Sequence, residues 1–150
     1  PDKYRPLPDR TNIIVTRNSS FEAEDCVVVN SIEEGLKIAE KNGDDEAFII
    51  GGGQIYKEFI DKATVHPKTQ VQAKTWYYRG LVYHKLHNTD NPDFKKLHPN
   101  PLKESFAAFI RADELDTKSR YNKEIHYKIS VASTEFFNLG TQYYAEKKFP

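Results

Sequence analysis

The sequence predicts a mixed architecture: a partial parallel α/β sheet first, then an all-α helical-repeat segment. Three observations predict it. Short β-branched runs alternate with helical periods up to residue 63, whereas from Gln72 onward the apolar pattern is helical and rich in aromatic residues. The composition shifts between the two. Residues 1–63 carry 8 Lys/Arg against 13 Asp/Glu and residues 64–150 carry 14 against 9, so the neutral total hides parts of net charge −5 and +5. All five histidines, the only tryptophan and seven of nine tyrosines lie in the second part, and five of seven glycines in the first. The change falls in "DKATVHPKTQ", where Pro67 argues against a continuous helix. The expected organisation is therefore 1–63, a junction at 64–73, and 74–150.

The elements follow in order. "RPLPDR" holds two prolines and is a turn-rich approach; "NIIVT", 12–16, and "CVVV", 26–29, are short β-branched runs and read as buried strands. Ser31 followed by Glu34 has the spacing of a capping box. It predicts a helix with Ile32, Leu36, Ile38 and Ala39 on its apolar stripe and Gly43 at its end. "AFII", 47–50, reads as a third strand, and Ile55, Phe59 and Ile60 give the following helix an apolar face. Strand and helix alternating at this spacing imply parallel strands. Between that third strand and its helix stand Gly51, Gly52 and Gly53. Glycines there let backbone N–H groups at the start of a helix approach an anion, or simply permit a tight turn and close packing. The spacing matches neither GxGxxG nor GxxxxGK[ST], so the motif by itself leaves both readings open.

The surrounding residues are more specific. "RPLPDRTNIIVTRN", "VVVNSIEEGLKIAEKN" and "EAFIIGGGQIYKEFIDKA" stand in an order and at distances that resemble dihydrofolate reductase, from Tyr4 to Ala63. The resemblance implies NADPH as cofactor and dihydrofolate as substrate. It implies that Gly51, Gly52, Gly53, Gln54 and Ile55 cradle the cofactor pyrophosphate and that Thr16 and Arg17 contact the adenosine 2′-phosphate. It further implies that Arg10 holds the folate glutamate carboxylate, that Leu7 walls the aminobenzoyl pocket, and that Ile50 and Tyr56 form the floor where nicotinamide and pterin meet. Arginine suits both anionic ends, because its guanidinium forks onto carboxylate or phosphate. In the family the first strand, the mobile loop and the helix with the acidic residue precede "RPLP", and a strand and antiparallel hairpin follow the position of Ala63. Here only "PDKY" stands before it, and "TVHPKTQVQAKTWYYRG" has no such pattern. The expectation is an incomplete pocket with no catalytic residue of its own.

In the second part "KTWYYRGLVYHKL" places Trp76, Gly80 and Tyr83 at offsets 0, 4 and 7, on one helix face, with a glycine that lets a neighbouring helix come close. "PLKESFAAFIRADELDTKSRY" is a second helix, started by Pro101, with Ser105, Phe109 and Ala112 at small, large and small positions; "STEFFNLGTQYYAEKKF" then repeats the first phrase with Phe136, Gly140 and Tyr143. These segments, 74–117 and 135–149, resemble tetratricopeptide (TPR) repeats, which implies binding of a peptide or protein partner. Arg79 and Thr117 depart from that family's leucine and proline, and "HNTDNPDFKKLHPN" reads as an inserted loop.

Other chemistry finds little support. Cys26 is a lone cysteine, so it makes no internal disulfide; His84 and His87 stand at i, i+3 without a third ligand, so no metal site is expected. No apolar run is long enough for a membrane span and the first residues have no signal-peptide core, which makes the cytoplasm the default compartment. A net charge of +5 without a basic stripe does not predict nucleic-acid binding. With no methionine and a start at Pro1, the chain reads as a piece of a longer product. The functional expectation is a protein-interaction helical repeat joined to an incomplete NADPH/folate-binding segment, with self-association through open sheet edges. The alternative is an NADPH-dependent dihydrofolate reductase whose missing strands are supplied.

Overall fold

A computed structural model describes residues 6–44 and 47–147, so the outermost residues of both resemblances, 4–5 and 148–149, lie outside the described residues. The chain divides into two compact units, residues 1–49 and 50–150.

The first unit holds a parallel pair of three-residue strands and one helix. Strand β1, Ile13–Val15, ladders with β2, Val27–Val29, in the register Ile13 to Val27, Ile14 to Val28 and Val15 to Val29. Helix α1, Ile32–Asn42, packs on both strands and buries Ile32 and Gly35 beside Val29. Its ends are those the sequence predicts. The Ser31 hydroxyl accepts the Glu34 N–H at 3.2 Å, Glu34 Oε2 accepts the Asn30 N–H at 3.0 Å, and Gly43 closes the helix in the left-handed region at φ 76°. Leu36, expected on the buried stripe, is instead 41% exposed, because the contact with the sheet turns on Ile32 and Gly35.

The expected third strand does not form. Residues 47–50 carry no strand hydrogen bonds, with Phe48 73% and Ile50 67% exposed. An extended segment becomes a strand only when a neighbour pairs with its N–H and C=O groups. Among the described residues β1 and β2 pair only with each other, leaving each one open edge.

Among its described residues the second unit holds helices and no strand. Helices α2, Gly53–Val65, α3, Ala73–His87, α5, Pro101–Leu115, and α6, Asn122–Ala145, pack in sequence, each on the next, and a single-turn helix α4, Pro92–Lys95, interrupts the stretch read as a loop. Its core is Tyr83, Leu86, Leu102, Ser105, Ala108, Phe109, Ala112, Ile125 and Ala132. At the centre α3 and α5 cross at Gly80. A Cβ on that glycine would sit 2.4 Å from Phe109 Cε1, and the Ser105 hydroxyl donates to the Gly80 carbonyl at 2.9 Å. The segment expected to begin near Ser133 begins at Asn122 instead, because Ile125 and Ala132 extend the buried stripe of α6 toward its start.

Candidate functional site

The triglycine turn opens α2. Gly52 is its N-cap, in extended conformation, and no side chain caps the helix. The first-turn N–H groups of any α-helix lack intrahelical acceptors and sit at the positive end of its dipole. Gly51 and Gly52 are exposed, and Gly53, Gln54 and Ile55, which begin the helix, are half-buried. The other side of the turn is filled by protein: a Cβ on Gly53 would lie 3.3 Å from Phe94 Cδ2 and 3.4 Å from Leu86 Cδ2, and one on Gly52 would lie 3.6 Å from Phe94 Cζ. The glycines therefore allow the start of α2 to sit tightly against Leu86 of α3 and Phe94 of α4. Gln54 does not reach outward, since its amide donates to Glu58 Oε1 at 2.8 Å.

One turn and more into α2 lies an ion-pair network that binds it to α3 and α5. Asp61 accepts from Lys57 at 2.9 Å, from the Tyr83 hydroxyl at 2.9 Å, and from Arg79, whose other amino group reaches Glu104 at 3.2 Å. Burial works to raise the Asp61 carboxyl, but the hydrogen bonds from Lys57, Tyr83 and Arg79 outweigh it and hold the group below the usual carboxylate range. Burial acts the other way on Lys57 and Arg79, and there too the acidic partners prevail, keeping both cations charged. The Tyr83 phenol is raised by burial and by donating to Asp61. All its members are paired, which is the signature of a structural clip.

In the first unit, Leu7 and Arg10 lie before β1. The Asn12 side chain brackets this approach, accepting the Leu7 N–H at 2.9 Å and donating to the Leu7 and Arg10 carbonyls at 2.8 and 3.1 Å. The Arg10 side chain is exposed and turns back to the Pro8 carbonyl at 3.2 Å. Thr16 and Arg17 follow β1 at its carboxyl end. The Thr16 hydroxyl accepts the Asn18 N–H at 3.1 Å and its carbonyl accepts from the Asn30 side chain at 2.8 Å, while Arg17 is exposed. Leu7 with Arg10 and Thr16 with Arg17 are thus held on opposite ends of one short strand.

The dihydrofolate reductase family model matches residues 3–111, nearly three-quarters of the chain. The chain belongs to the dihydrofolate reductase family. The match runs past Ala63, where the sequence resemblance stops, through α3 and most of α5. Relatives include dihydrofolate reductase of Staphylococcus haemolyticus, 48% identical over 56 residues that cover 37% of this chain and 32% of that protein. Dihydrofolate reductase type 3 of Salmonella typhimurium is 33% identical over 94 residues, 59% of this chain and 57% of that protein. The Bacillus subtilis enzyme is 42% identical over 59 residues, 39% and 34% respectively. The chain spans between about a third and three-fifths of the length of these relatives. No solved structure matches.

Of the residues that the resemblance assigns to a pyrophosphate cradle, Gly51 and Gly52 are exposed, while Gly53, Gln54 and Ile55 are half-buried in the first turn of α2. Ile50 and Tyr56, which the resemblance assigns to the floor where nicotinamide and pterin meet, are both exposed. The Asp61 network has no periodic mark in the sequence. Arg79, a departure from the repeat pattern, was its signal: a cation on an otherwise apolar helix face needs a carboxylate nearby. His84 is likewise a packing residue, its Nε2 lying 2.8 Å from Glu135 Oε2 on α6. Among the described residues no group of three or more metal-ligating side chains gathers, and no helix is long and apolar enough to cross a membrane.

Proposed function

We propose that the helical unit α2–α6, most of which lies within the dihydrofolate reductase match, is a protein-binding module of the tetratricopeptide type, and that the chain does not reduce dihydrofolate by itself. The observation that carries this reading is the crossing of α3 and α5 at Gly80, where the Phe109 ring takes the place of a side chain. Helices interlocked in this way present their outer faces to a partner without any catalytic group. The Asp61 clip supports it further, since it commits the helix after the triglycine turn to α3 and α5. Reduction needs donor, acceptor and proton source held together, and the exposure of Phe48 and Ile50 argues against an assembled pocket.

A second reading, favoured by the exposed Gly51 and Gly52 before α2, is that the chain supplies the pyrophosphate cradle of an NADPH-dependent dihydrofolate reductase completed by further strands. NADPH would supply the hydride; the backbone N–H groups of Gly53, Gln54 and Ile55 would hold its pyrophosphate, and Thr16, Arg17, Leu7 and Arg10 would act as the family resemblance implies. The open edges of β1 and β2 are where additional strands, or another copy, would add.

Two measurements decide between the readings. The chain alone should give no antifolate-sensitive loss of NADPH absorbance with dihydrofolate, and such a loss would establish the enzyme reading. Selection of a helical-peptide display library against the chain should enrich binders that are lost when Gly80→Leu forces α3 and α5 apart. A library that yields no binder would sink the protein-binding reading.

A further inference from the structure

A glycine at the start of a helix serves an anion by leaving open the volume where a Cβ would stand, so that the ligand comes up against the backbone. At none of the three glycines that lead into α2 is that volume open. A Cβ on Gly51 would lie 3.1 Å from both Cβ and Cγ2 of Ile55, one turn on in the same helix. One on Gly52 would lie 3.6 Å from Phe94 Cζ, and one on Gly53 would lie 3.3 Å from Phe94 Cδ2, 3.4 Å from Phe94 Cγ and 3.4 Å from Leu86 Cδ2. Carbon atoms pack best at about 3.5–4.0 Å, so a single methyl group already crowds Gly51 and Gly53. A phosphate group is larger still.

Phe94 is built into its place. Asn91 caps α4 by accepting the Asp93 N–H at 2.9 Å, Pro92 is the first helical residue, and the Leu97 N–H closes the turn on the Phe94 carbonyl at 3.1 Å. Asn91, Pro92, Asp93, Lys95 and Lys96 are exposed, whereas Phe94 is half-buried. The ring is the apolar anchor of a polar connection, and the triglycine turn is what it is anchored to.

We infer that in this chain the triglycine turn is the seat of the Phe94 ring and not a pyrophosphate cradle. The glycines let the connection between α3 and α5 fasten to the start of α2, and the residues do not fit the dinucleotide that the family implies at this point. Gly51 and Gly52 are exposed on their other side, but the N–H groups that begin α2 belong to the half-buried Gly53, Gln54 and Ile55. This seating is independent of partner binding. It runs against the second reading above, whose cradle Phe94 would first have to leave.

Nuclear magnetic resonance on the full chain tests the seat directly. The Phe94 ring protons should give nuclear Overhauser contacts to the Hα protons of Gly52 and Gly53, and the ring-current shifts of those Hα protons should vanish in Phe94→Leu. Gly53→Val should lower the urea midpoint, and by clearly less in a Phe94→Ala background, where the ring it meets is gone. NADPH titrated into the wild-type chain should leave the amide resonances of residues 51–55 in place. Missing Overhauser contacts, additive effects of Gly53→Val and Phe94→Ala, or saturable NADPH-induced shifts at residues 51–55 would each overturn the inference. Saturable shifts confined to other residues would leave the turn to Phe94. The two wild-type measurements decide the matter even where a variant fails to fold. If the turn takes NADPH, the Phe94 seat falls while the protein-binding reading still answers to its own peptide selection; a failed selection with the Phe94 contacts present sinks that reading alone.

Discussion

Replacing Gly80 and Gly140 by alanine should have effects of opposite sign, although the two glycines hold equivalent places in repeated phrases. At Gly80 the added Cβ would lie 2.4, 2.5 and 2.8 Å from Phe109 Cε1, Cδ1 and Cζ. Carbon atoms pack best at about 3.5–4.0 Å, so the two helices would have to part by about 1 Å or the ring would have to leave. Phe109 is fully buried and has nowhere to go. Overpacking of this kind costs about 1–3 kcal/mol, against which the better helix propensity of alanine returns about 0.5–1 kcal/mol. The net expectation is a loss of roughly 1–2 kcal/mol. At Gly140 no atom lies within 4 Å, only the propensity term acts, and alanine should stabilise by about 0.5–1 kcal/mol. Urea unfolding followed by helical ellipticity measures both, because all the long helices but α1 belong to this unit. In the Gly80→Ala background Phe109→Leu should cost less than in wild type, which a double-mutant cycle reports. A Gly80→Ala protein as stable as wild type or more so would refute the close crossing of α3 and α5.

Three further outcomes follow from the same geometry. Ser105→Ala removes the buried hydrogen bond to the Gly80 carbonyl and should cost about 1 kcal/mol in the same urea assay. Asp61 titrates below its ordinary value of 3.8 in the folded chain, so its contribution is present above that pH and is lost as pH falls through the lower folded value. Stability of the helical unit should therefore drop below about pH 4, and Asp61→Asn should flatten that drop while lowering stability at neutral pH. Arg79→Leu, which restores the apolar residue of the repeat pattern, leaves Glu104 without its α3 partner and should cost roughly 1–2 kcal/mol, less in high salt.

Local signals in the sequence were legible and long-range ones were not. The Ser31 and Glu34 cap, the Gly43 terminator and Pro101 at the start of α5 each act within a few residues, and the structure shows all three. Gly80, Phe109 and Ser105 were readable because small and large residues at matched offsets on two helices have one way to interlock. Residues 47–50 misled because an apolar β-branched run says that a strand can form, and only a pairing neighbour makes it one. The Asp61, Arg79 and Glu104 network joins residues 18 and 25 positions apart, with no periodicity to mark it. Phe94 lay in a stretch of Asn, Asp, Pro and His that reads as loop, yet its ring packs on the triglycine turn. Of the candidate site, the turn itself was visible, while the way its far side is filled depended on that distant ring.

The helix after the triglycine turn is part of the helical unit, clipped there by Asp61. Native-state hydrogen exchange tests it most directly, since elements of one cooperative unit open with one free energy. The slowest amides of Gly53–Val65, Ala73–His87 and Pro101–Leu115 should share a common opening free energy, and Asp61→Asn should lower all three together. Amides of α2 that open far more readily than those of α3 and α5, with no response of α3 and α5 to Asp61→Asn, would contradict it.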